Sequence, residues 1–507
     1  MLKKTILLPE NFDLEQLLID HPPHVRLRIE KLKYILGLIN ELPAYDHRFF
    51  EGQRDEALYV PINSQIIKSK VWNYQEYLGY LVEVGVLECN GVYFPGFSSK
   101  GYRFTEHYQI KTIRDSVSNP KLIAKTKSQK QKEAAALAMY PNLIHHFDGL
   151  EIDLERAQGY LQHVYEEESQ SAEKKISRRA ASRHSAALIN VNKLVEKSFH
   201  FSIDNNGHRL HTTLTNLNKA LRQFLSYQGE KLVAFDLSNS QPFLAQVLFN
   251  KSFYEPTEDC LTLTLSSLPK ETQQLINENL KARIGEYILS NTKTSKYSIN
   301  SSTPLSTCPL MCGNLEFNDQ ADGRVEVVRE AEDFQIKLLQ NQELEKYLSF
   351  LNGGLFYEQL GKEISQRTGR GYRDRDQLKQ VISTVLFSSN DEKFPPIVNR
   401  KRVFKEVFPW IAGLFELLKS DDHRTLALLL QTIESEIFLN RIAGRISQEM
   451  PEVPLFSLHD SLVTTGENEG YLSQVMKEEI ERAIGAVPDL KREEWSTDGI
   501  EVVVKSL

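Results

Sequence analysis

The chain has 507 residues, of which 41% are hydrophobic and 25% charged, an ordinary composition for a soluble globular protein of about two to four domains. No apolar run approaches the roughly 18 residues that a membrane-spanning helix needs. The apolar run within residues 1–9 is too short, and it is interrupted too early, for a secretory signal. The formal net charge of −7 excludes a protein that is basic overall, so any nucleic-acid-binding surface must be local.

Cysteine usage indicates the compartment. The chain has only four cysteines, which suits a reducing environment, so we expect a cytoplasmic protein. Cys308 and Cys312 have a spacing that two metal ligands can adopt, but no partner pair lies near them in the sequence. A zinc site is therefore not predicted.

Residues 1–115 are predicted to form a module of helices followed by a hairpin. The third helix ends at Gly85, a typical helix-terminating residue, and Asn90-Gly91 indicates a hairpin turn. This order resembles a winged helix-turn-helix, in which residues 98–103 would contact phosphates near the wing tip. The alternative is a small packing domain that binds nothing. The predicted helices are 25–42, a short one capped by 61–64, and 74–84.

Residues 116–204 are predicted to form a charged helical segment. Its two basic runs, 125–132 and 174–184, are either solvated helix faces or a surface that holds nucleic-acid phosphates. Both runs lie within one helical segment, and that segment directly precedes the part of the chain that carries the candidate catalytic residues. An element that binds the nucleic-acid backbone would be useful there, because phosphate contacts supply most of the sequence-independent affinity.

The stretch 231–245 combines a buried strand with a helix. Leu232 to Phe235 form a short apolar run, Asp236 follows where the run stops, and helical spacing begins after Pro242. An acid at the end of a buried strand, followed by a turn and a helix, can hold a metal ion. The alternative is that Asp236 only caps a helix or forms a turn, as most such aspartates do.

The stretch 373–388 has the pattern of a helix. Arg375, Lys379 and Phe387 recur at spacings of four and eight residues, so at about 100° per residue they fall within a stripe of about 120°. Two cations and an aromatic ring on one helical face can hold a triphosphate and stack beside a base or sugar. The alternative is an ordinary amphipathic helix whose basic residues face water.

The stretch 455–465 has two short apolar-rich strands on either side of His459-Asp460, which indicates a hairpin with an acid at its tip. The helix predicted before it, over 426–438, is largely apolar. Because buried polar groups need partners, its polar residues are expected to line a polar site. Those residues are Gln431, Glu434 and Glu436.

Together these stretches resemble the palm and fingers motifs of family A DNA polymerases and of single-subunit phage-type RNA polymerases. The three motifs stand in the family's order, and the resemblance covers roughly residues 205–470. The run before motif A resembles the family as well, through Gly207-His-Arg-Leu, Thr215-Asn-Leu and Leu221-Arg-Gln-Phe. The motif residues are Asp236-Leu-Ser-Asn-Ser-Gln241 for motif A, Arg375, Lys379 and Phe387 for motif B, with Ser388 in place of the usual glycine, and His459-Asp460-Ser461 for motif C.

The resemblance implies an α+β, mostly helical fold with a right-hand polymerase palm and fingers over 205–507. The thumb-like segment 116–204 and the winged-helix-like module 1–115 would precede it. Motifs A and B are 139 positions apart (375 − 236), which is longer than the family usually allows, so an insertion is expected at about 256–345. Its polar part, 290–303, is expected to be a loop.

The resemblance also implies roles for individual residues. Asp236 and Asp460 would be catalytic and would hold two Mg²⁺ ions about 4 Å apart. Lys379 would be catalytic too, because it would contact the triphosphate and assist proton transfer to the leaving group. Nucleotide binding would involve Arg375, Lys379, Phe387 and Gln241. Primer and template binding would involve Arg209, Asn216, Arg222, Gln431 and His459.

The choice between deoxyribonucleotides and ribonucleotides depends on three residues. DNA polymerases of this family have a glutamate at the position of Gln241, as a steric gate against the 2′-hydroxyl. Gln241 is bulky, and Phe387 lacks the phenolic hydroxyl that the RNA polymerases carry, so both favour dNTPs. Ser461 follows the RNA polymerase pattern, and the neutral amide of Gln241 removes a charge from the gate.

The sequence therefore favours a template-directed nucleotidyltransferase, and among these a DNA polymerase without a proofreading exonuclease. Its partners would be a primer–template and nucleoside triphosphates, without a membrane, and it would act in DNA replication of a phage or mobile element. One alternative is a single-subunit RNA polymerase or primase. Another is a winged-helix nucleic-acid-binding protein of replication or regulation with an inactive palm. The oligomeric state stays open.

Overall fold

The computed structural model of the protein describes residues 3–45, 59–94, 99–126, 130–171, 174–256, 262–290, 342–369, 371–372 and 374–496. The chain divides into two compact units, each assembled from segments that are distant in sequence. Unit 1 consists of Met1–Asp236, Phe438–Val475 and Arg492–Leu507, and unit 2 of Leu237–Ile437 and Met476–Lys491. Cys308, Cys312 and residues 291–303 of the predicted loop lie outside the described residues.

The described residues are mostly helical and also form antiparallel sheets, so the prediction of an α+β, mostly helical fold is confirmed at that level. The right-hand polymerase arrangement stays a prediction. The strands are β1 (Lys4–Pro9), β2 (Val60–Pro61), β3 (Leu87–Cys89), β4 (Gly101–Phe104), β5 (Thr112–Val117), β6 (Leu150–Ile152), β7 (Phe201–Ile203), β8 (Leu210–Thr212), β9 (Leu225–Tyr227), β10 (Glu230–Leu237), β11 (Phe456–Ser457), β12 (Ser461–Thr465) and β13 (Leu490–Trp495).

The helices are short to medium in length, and among the described ones none combines the length and the apolar character that a membrane crossing requires. They are α1 (Leu14–Asp20), α2 (Ile29–Glu41), α3 (Ser64–Lys70), α4 (Tyr74–Glu83), α5 (Pro120–Thr126), α6 (Lys130–Met139), α7 (Pro141–His145), α8 (Leu154–Ser169), α9 (Lys174–Val195), α10 (Ser240–Leu244), α11 (Lys251–Tyr254), α12 (Lys270–Gln273), α13 (Glu278–Ser290), α14 (342–351), α15 (Phe356–Thr368), α16 (Arg375–Phe387), α17 (Pro395–Val407), α18 (Pro409–Leu418), α19 (Thr425–Ser435), α20 (Ala443–Glu449) and α21 (Glu469–Ile484). A π-helical segment, Glu436–Ile442, follows α19.

The largest sheet has the strand order β11-β12-β10-β9-β6, and β13 also pairs with β10. Residues 232–235 of β10 are all buried, as a strand covered on both faces requires. β10 runs antiparallel to β12 in a register that pairs Leu232 with Thr465 and Asp236 with Ser461. The sheet therefore joins the two stretches that carry the candidate carboxylates.

The predicted division into segments 1–115, 116–204 and 205–507 does not coincide with the two compact units, because unit 1 runs unbroken to Asp236. The segment 116–204 is also not purely helical. Its β6 strand pairs with β9 in the largest sheet, with Leu150 opposite Tyr227, and Leu150 is fully buried. A three-residue strand is too short to produce a recognisable alternation, so the sequence pattern did not reveal it.

The N-terminal module has the predicted helices, although the first is shorter than the predicted range 25–42. The third ends as expected, since Gly85 adopts a positive φ of 74°. The hairpin differs from the prediction: β3 pairs with β4, with Cys89 opposite Tyr102, instead of returning directly after Asn90-Gly91. The side chain of Asn90 accepts a hydrogen bond from the Gly101 N–H at 2.9 Å, which holds the distant strand in place. The winged-helix interpretation stays a prediction.

In unit 2, the predicted helix over 373–388 is confirmed as α16. Its N-terminus is capped by Asp374, which accepts a hydrogen bond from the Asp376 N–H. At the other end, the buried Lys419 Nζ donates to the carbonyl oxygens of Val385 at 2.6 Å and of Ser388 at 3.0 Å. A cation at a helix C-terminus satisfies free carbonyl groups and opposes the negative end of the helix dipole. Lys419 thus fixes the C-terminus of α16, the helix whose N-terminus carries Arg375.

Replacing Lys419 by methionine is expected to lower the free energy of unfolding by about 1–3 kcal/mol, because two carbonyl groups lose a charged donor. Burial lowers the pKa of Lys419 to about 8, below its ordinary value. Between that value and about pH 10.4, the unfolded state binds more protons than the folded state, so Lys419 makes the free energy of unfolding increase with pH. This increase should be smaller in the variant. Urea unfolding at pH 7 and pH 9.5 measures both effects. Lys393→Met, at an exposed position, is the control, and equal stability of the two variants would refute the capping role.

Candidate active site

Asp236 and Asp460 lie at the same end of two neighbouring strands of unit 1. Asp236 is near the C-terminal end of β10, opposite Ser461, the first residue of β12, and Asp460 directly precedes Ser461. Both side chains are partly exposed. Directly opposed residues of an antiparallel pair are about 4.5–5.5 Å apart, so the register brings the two predicted catalytic residues to one edge of the sheet.

The turn before β12 sets the position of Asp460. Leu458 N–H donates to the Ser461 carbonyl oxygen at 2.8 Å, and His459 has a positive φ of 63°. A non-glycine residue in the left-handed region is uncommon and is often found at functional sites. The predicted hairpin with an acid at its tip is therefore confirmed.

Asp236 and Asp460 provide two carboxylates, and a complete metal site needs further ligands. Within the described ranges, no group of three His, Cys, Asp or Glu side chains is arranged to hold a metal ion. Mg²⁺ is commonly bound through one or two carboxylates, with waters and substrate phosphates supplying the other ligands. Two carboxylates at one sheet edge fit that mode of binding, and they do not fit a preformed four-ligand zinc site.

Arg222 is a cation close to Asp236. Burial lowers the pKa of the Arg222 guanidinium, and the negative charges of Glu493 and Asp236 offset part of that lowering. An arginine stays charged in proteins. Its Nε is buried and has no hydrogen-bond partner among the described residues. Arg222 is therefore a partly desolvated cation that interacts electrostatically with Glu493 and Asp236.

His459 interacts electrostatically with two arginines, Arg209 and Arg222, and with the carboxylate of Asp204. Burial lowers the pKa of His459 to about 4, and the charges of Arg209, His211 and Arg222 act in the same direction. The ring of His211 lies 5.5 Å from that of His459 in an edge-to-face arrangement. His459 is therefore neutral at pH 7, and its buried Nδ1 has no hydrogen-bond partner among the described residues.

Sequence reasoning missed Asp204, which organises the turn between β7 and β8. Burial alone would raise the pKa of the Asp204 carboxyl, but its hydrogen bonds outweigh burial and hold the pKa well below its usual range. An aspartate three residues before Gly207 is a typical turn signal that could have revealed it. The donors are the N–H groups of Asn206, Gly207 and Arg209 and the ring of His211, at 2.5–3.2 Å.

Replacing Asp204 by asparagine is expected to lower the free energy of unfolding by about 1–2 kcal/mol at pH 7, because the turn loses a charged acceptor. A depressed folded pKa contributes stability above the unfolded pKa of about 3.9, and that stability is lost as pH falls through the folded pKa. The difference between the two proteins should therefore shrink below about pH 4. Unfolding by urea at pH 7 and pH 3 tests this, with the exposed Asp148→Asn as control. A difference that does not change with pH would contradict it.

Among the predicted nucleotide-binding residues, Arg375, Lys379 and Phe387 all lie on α16 of unit 2. Arg375 forms an ion pair with Glu358 at 2.8 Å and lies 5.3 Å from the centre of the Tyr357 ring. The Lys379 Nζ is 3.5 Å from Asp376. All three side chains are at least partly exposed. Surface ion pairs are weak, so a phosphate can displace the partners of both cations.

Gln241 and Gln431 also belong to unit 2. Gln241, in the first turn of α10, donates from Nε2 to the Glu434 carboxylate at 2.7 Å, and Glu434 is buried on α19. The expectation that the polar residues of this helix have partners is thus met at Glu434. Gln431 lies on the same helix and is partly exposed.

Asn216 lies in unit 1, in the segment between β8 and β9. Its carbonyl oxygen accepts a hydrogen bond from the Asn190 amide at 2.9 Å, and it lines a cavity beside α8 and α9. Unit 1 therefore holds Asp236, Asp460, Arg209, Asn216, Arg222 and His459, and unit 2 holds the other predicted site residues.

Comparisons with known proteins give only distant likenesses, all of them to solved structures. No family model matches the chain, and no curated protein matches it. Among solved structures, the polymerase domain of Pol1 from M. smegmatis in complex with DNA primer-template and dNTP matches with 12% identity and a TM-score of 0.29. The match covers 74% of this chain and 73% of that one. At this distance, we base no residue assignment on it.

Proposed function

We propose that the protein is a template-directed nucleotidyltransferase that joins nucleoside triphosphates to a 3′-hydroxyl. The observation that carries the proposal is the strand register, which places Asp236 beside Ser461 and so brings Asp236 and Asp460 to one edge of the sheet. This register supports the proposal, because the resemblance implies a pair of carboxylates and the two acids are 224 positions apart in the sequence (460 − 236).

In the proposed reaction, the 3′-hydroxyl loses its proton to water and its oxygen attacks the α-phosphorus. The bond between that phosphorus and the oxygen that bridges to the β-phosphorus breaks, and pyrophosphate leaves. Asp236 and Asp460 would hold two Mg²⁺ ions, which when bound lower the pKa of the 3′-hydroxyl and compensate charge on the triphosphate and on the pyrophosphate. Arg222 would offset part of the negative charge of the Asp236 carboxylate. Positioning and charge compensation are what phosphoryl transfer mainly needs.

The roles of α16 follow from the resemblance. Arg375 and Lys379 would bind the triphosphate, and the Lys379 Nζ would give a proton to the leaving pyrophosphate. Phe387 would pack against the sugar or base. The weak, exposed ion pairs of the two cations support these roles, because their release costs little.

We propose DNA polymerase activity without proofreading as the first form of this function, since Gln241 is bulky and Phe387 has no hydroxyl. Ser461 favours the second form, a single-subunit RNA polymerase or primase. Arg209, Asn216, Arg222, Gln431 and His459 would contact the primer–template in either form. His459, neutral at pH 7, would act through hydrogen bonding instead of charge.

Primer extension with purified protein and Mg²⁺ tests the proposal, on DNA and RNA templates with dNTPs or NTPs supplied separately. Extension with dNTPs that is lost in Asp460→Ala would support a DNA polymerase. Extension or unprimed synthesis with NTPs alone would support an RNA polymerase or primase. The absence of synthesis under every condition would refute the proposed enzymatic activity. The alternative of a nucleic-acid-binding protein with an inactive palm would then be favoured.

A further inference from the structure

Unit 1 contains a cavity of about 340 Å³ that is lined in part by residues of β1, α2 and α9. Cavities of this size bind small organic molecules. Lys3 and Ser198 line it and are exposed, so solvent reaches the cavity. Ile6, Leu7 and Ile189 give it an apolar wall of buried side chains. None of the lining residues takes part in the proposed reaction.

Lys193, on α9, is a cation in this cavity that lacks an anionic partner. Its Nζ lies 3.7 Å from the centre of the Tyr45 ring, and no residue that the structure describes forms an ion pair or a hydrogen bond with it. Burial lowers the pKa of Lys193 to about 8, so the ammonium is still mainly protonated at pH 7. An ammonium has three N–H donors, and the face of one ring does not satisfy all of them. A partly desolvated cation of this kind is completed by an anion.

The carboxylates that line the cavity already have cationic partners of their own in two cases. Glu41 forms an ion pair with Lys4 at 2.8 Å, and Glu196 forms one with Arg114. If Arg114 is counted with the lining residues, the lysines and arginine exceed the glutamates by one formal positive charge. The cavity therefore favours a ligand with a single negative charge. The charged lining residues are Lys3, Lys4, Glu41, Glu133, Lys193 and Glu196.

Asn192 precedes Lys193 and lines the same cavity. Its side chain is 4% exposed, and neither Oδ1 nor Nδ2 pairs with a group in the described part of the chain. Most buried polar atoms in native proteins are paired, because an unpaired one costs free energy. A carboxamide presents an acceptor and a donor side by side, so its complement is a group with the same two functions, such as another amide.

We propose that this cavity binds a small organic monoanion with an apolar body, whose carboxylate pairs with Lys193 and whose amide group pairs with Asn192. An N-acylated apolar amino acid has all three features. A nucleoside monophosphate also offers a suitable edge on its base, but its phosphate carries nearly two negative charges at pH 7. The cavity therefore selects against it. This inference does not depend on the nucleotidyltransferase function.

The experiment titrates the full-length protein with four compounds and follows binding by saturation-transfer NMR. N-acetyl-L-leucine has the carboxylate, the amide and the apolar side chain. N-acetyl-L-leucinamide lacks the charge, 4-methylpentanoate lacks the acetamido group, and AMP carries the larger charge. We expect a Kd in the millimolar range for N-acetyl-L-leucine, as is usual for so small a ligand. The other three compounds should bind about tenfold more weakly or worse, because each leaves a polar group of the site without its partner.

Two outcomes of this titration would overturn the proposal. One is the absence of binding by N-acetyl-L-leucine. The other is an affinity for N-acetyl-L-leucine that does not exceed the affinities for the two analogues and for AMP, because the cavity would then recognise neither the single charge nor the amide.

Two variants assign the two contacts separately. In Lys193→Met the charge is lost, so N-acetyl-L-leucine should bind no better than N-acetyl-L-leucinamide does. In Asn192→Leu the amide contact is lost, so N-acetyl-L-leucine should bind no better than 4-methylpentanoate does. The control is Lys121→Met, at an exposed position outside the cavity lining, which should bind as the wild type does. A preference that survives in the variant that removes its contact would overturn the proposal.

Thermal unfolding without ligand separates a ligand site from a structural role. Lys193→Met and Asn192→Leu remove buried polar groups that have no partner in the described part of the chain, so the Tm should stay the same or rise. This result would also show that both variants fold. A fall in Tm of several degrees in both would show that these groups are satisfied within the ligand-free protein, for example by internal water, and would contradict the proposed site.

Discussion

Replacing Asp236 or Asp460 by asparagine is expected to lower the rate of nucleotidyl transfer by about 10³-fold or more, equivalent to about 4 kcal/mol in the activation free energy. Asparagine keeps the shape of the side chain and its hydrogen-bonding oxygen, but it removes the charge that a hard divalent cation requires. Because the two residues would act on the same metal pair, the double variant should lose little more than either single one.

Single-turnover primer extension measures this effect, and circular dichroism and thermal unfolding confirm that each variant folds. Both carboxylates are partly exposed, so the exchange should change stability little. The matched control is Asp148→Asn, at an exposed position in unit 1, which should retain full activity. Activity within tenfold of the wild type in Asp460→Asn would exclude Asp460 as a metal ligand.

Replacing Phe147 by alanine is expected to destabilise unit 1 by about 3–5 kcal/mol. Phe147 is 1% exposed and lies at the centre of an aromatic cluster that joins the β7–β8 hairpin to the largest sheet. The exchange removes apolar surface from the core and leaves a cavity, which both lower stability. Its ring contacts the rings of Phe199, Phe201 and Phe456 edge-to-face, with centroids 5.3, 4.8 and 5.3 Å away.

Chemical unfolding followed by tryptophan fluorescence and circular dichroism measures this loss. The control is Phe94→Ala, because Phe94 is 61% exposed, and a change within about 0.5 kcal/mol is expected there. Phe147→Leu should fall between the two, since leucine refills part of the cavity. A loss below about 1 kcal/mol in Phe147→Ala would show that the cluster does not hold the hairpin to the sheet.

The elements around the candidate site were predictable because each has a strong local pattern. The apolar run before Asp236 predicted β10, and helical spacing predicted α16. The turn residues at His459-Asp460 predicted the hairpin. In each case, the local preference agrees with the tertiary structure, so nearby residues suffice to predict the element.

Other features were not predictable, because they depend on partners that are distant in sequence. β6 is a strand because it pairs with β9. The partner of β3 is β4, and not the residues that directly follow Asn90-Gly91. The sequence indicated that Glu434 needs a partner, but it did not identify Gln241, which is 193 positions away. Long-range pairings of this kind leave no local periodicity.

The strand order of the largest sheet has a consequence for the synthesis of the protein. When β10 has just been synthesised, β12 is still more than 200 residues from being made, a delay of roughly 10–45 s at 5–20 residues per second. During this interval, β9 covers one side of β10 and its other side is an open strand edge that can pair with foreign strands. Asp236 also waits for Asp460 until β12 arrives. The nascent chain therefore gains its pair of carboxylates late, and it depends on protection of that edge until then.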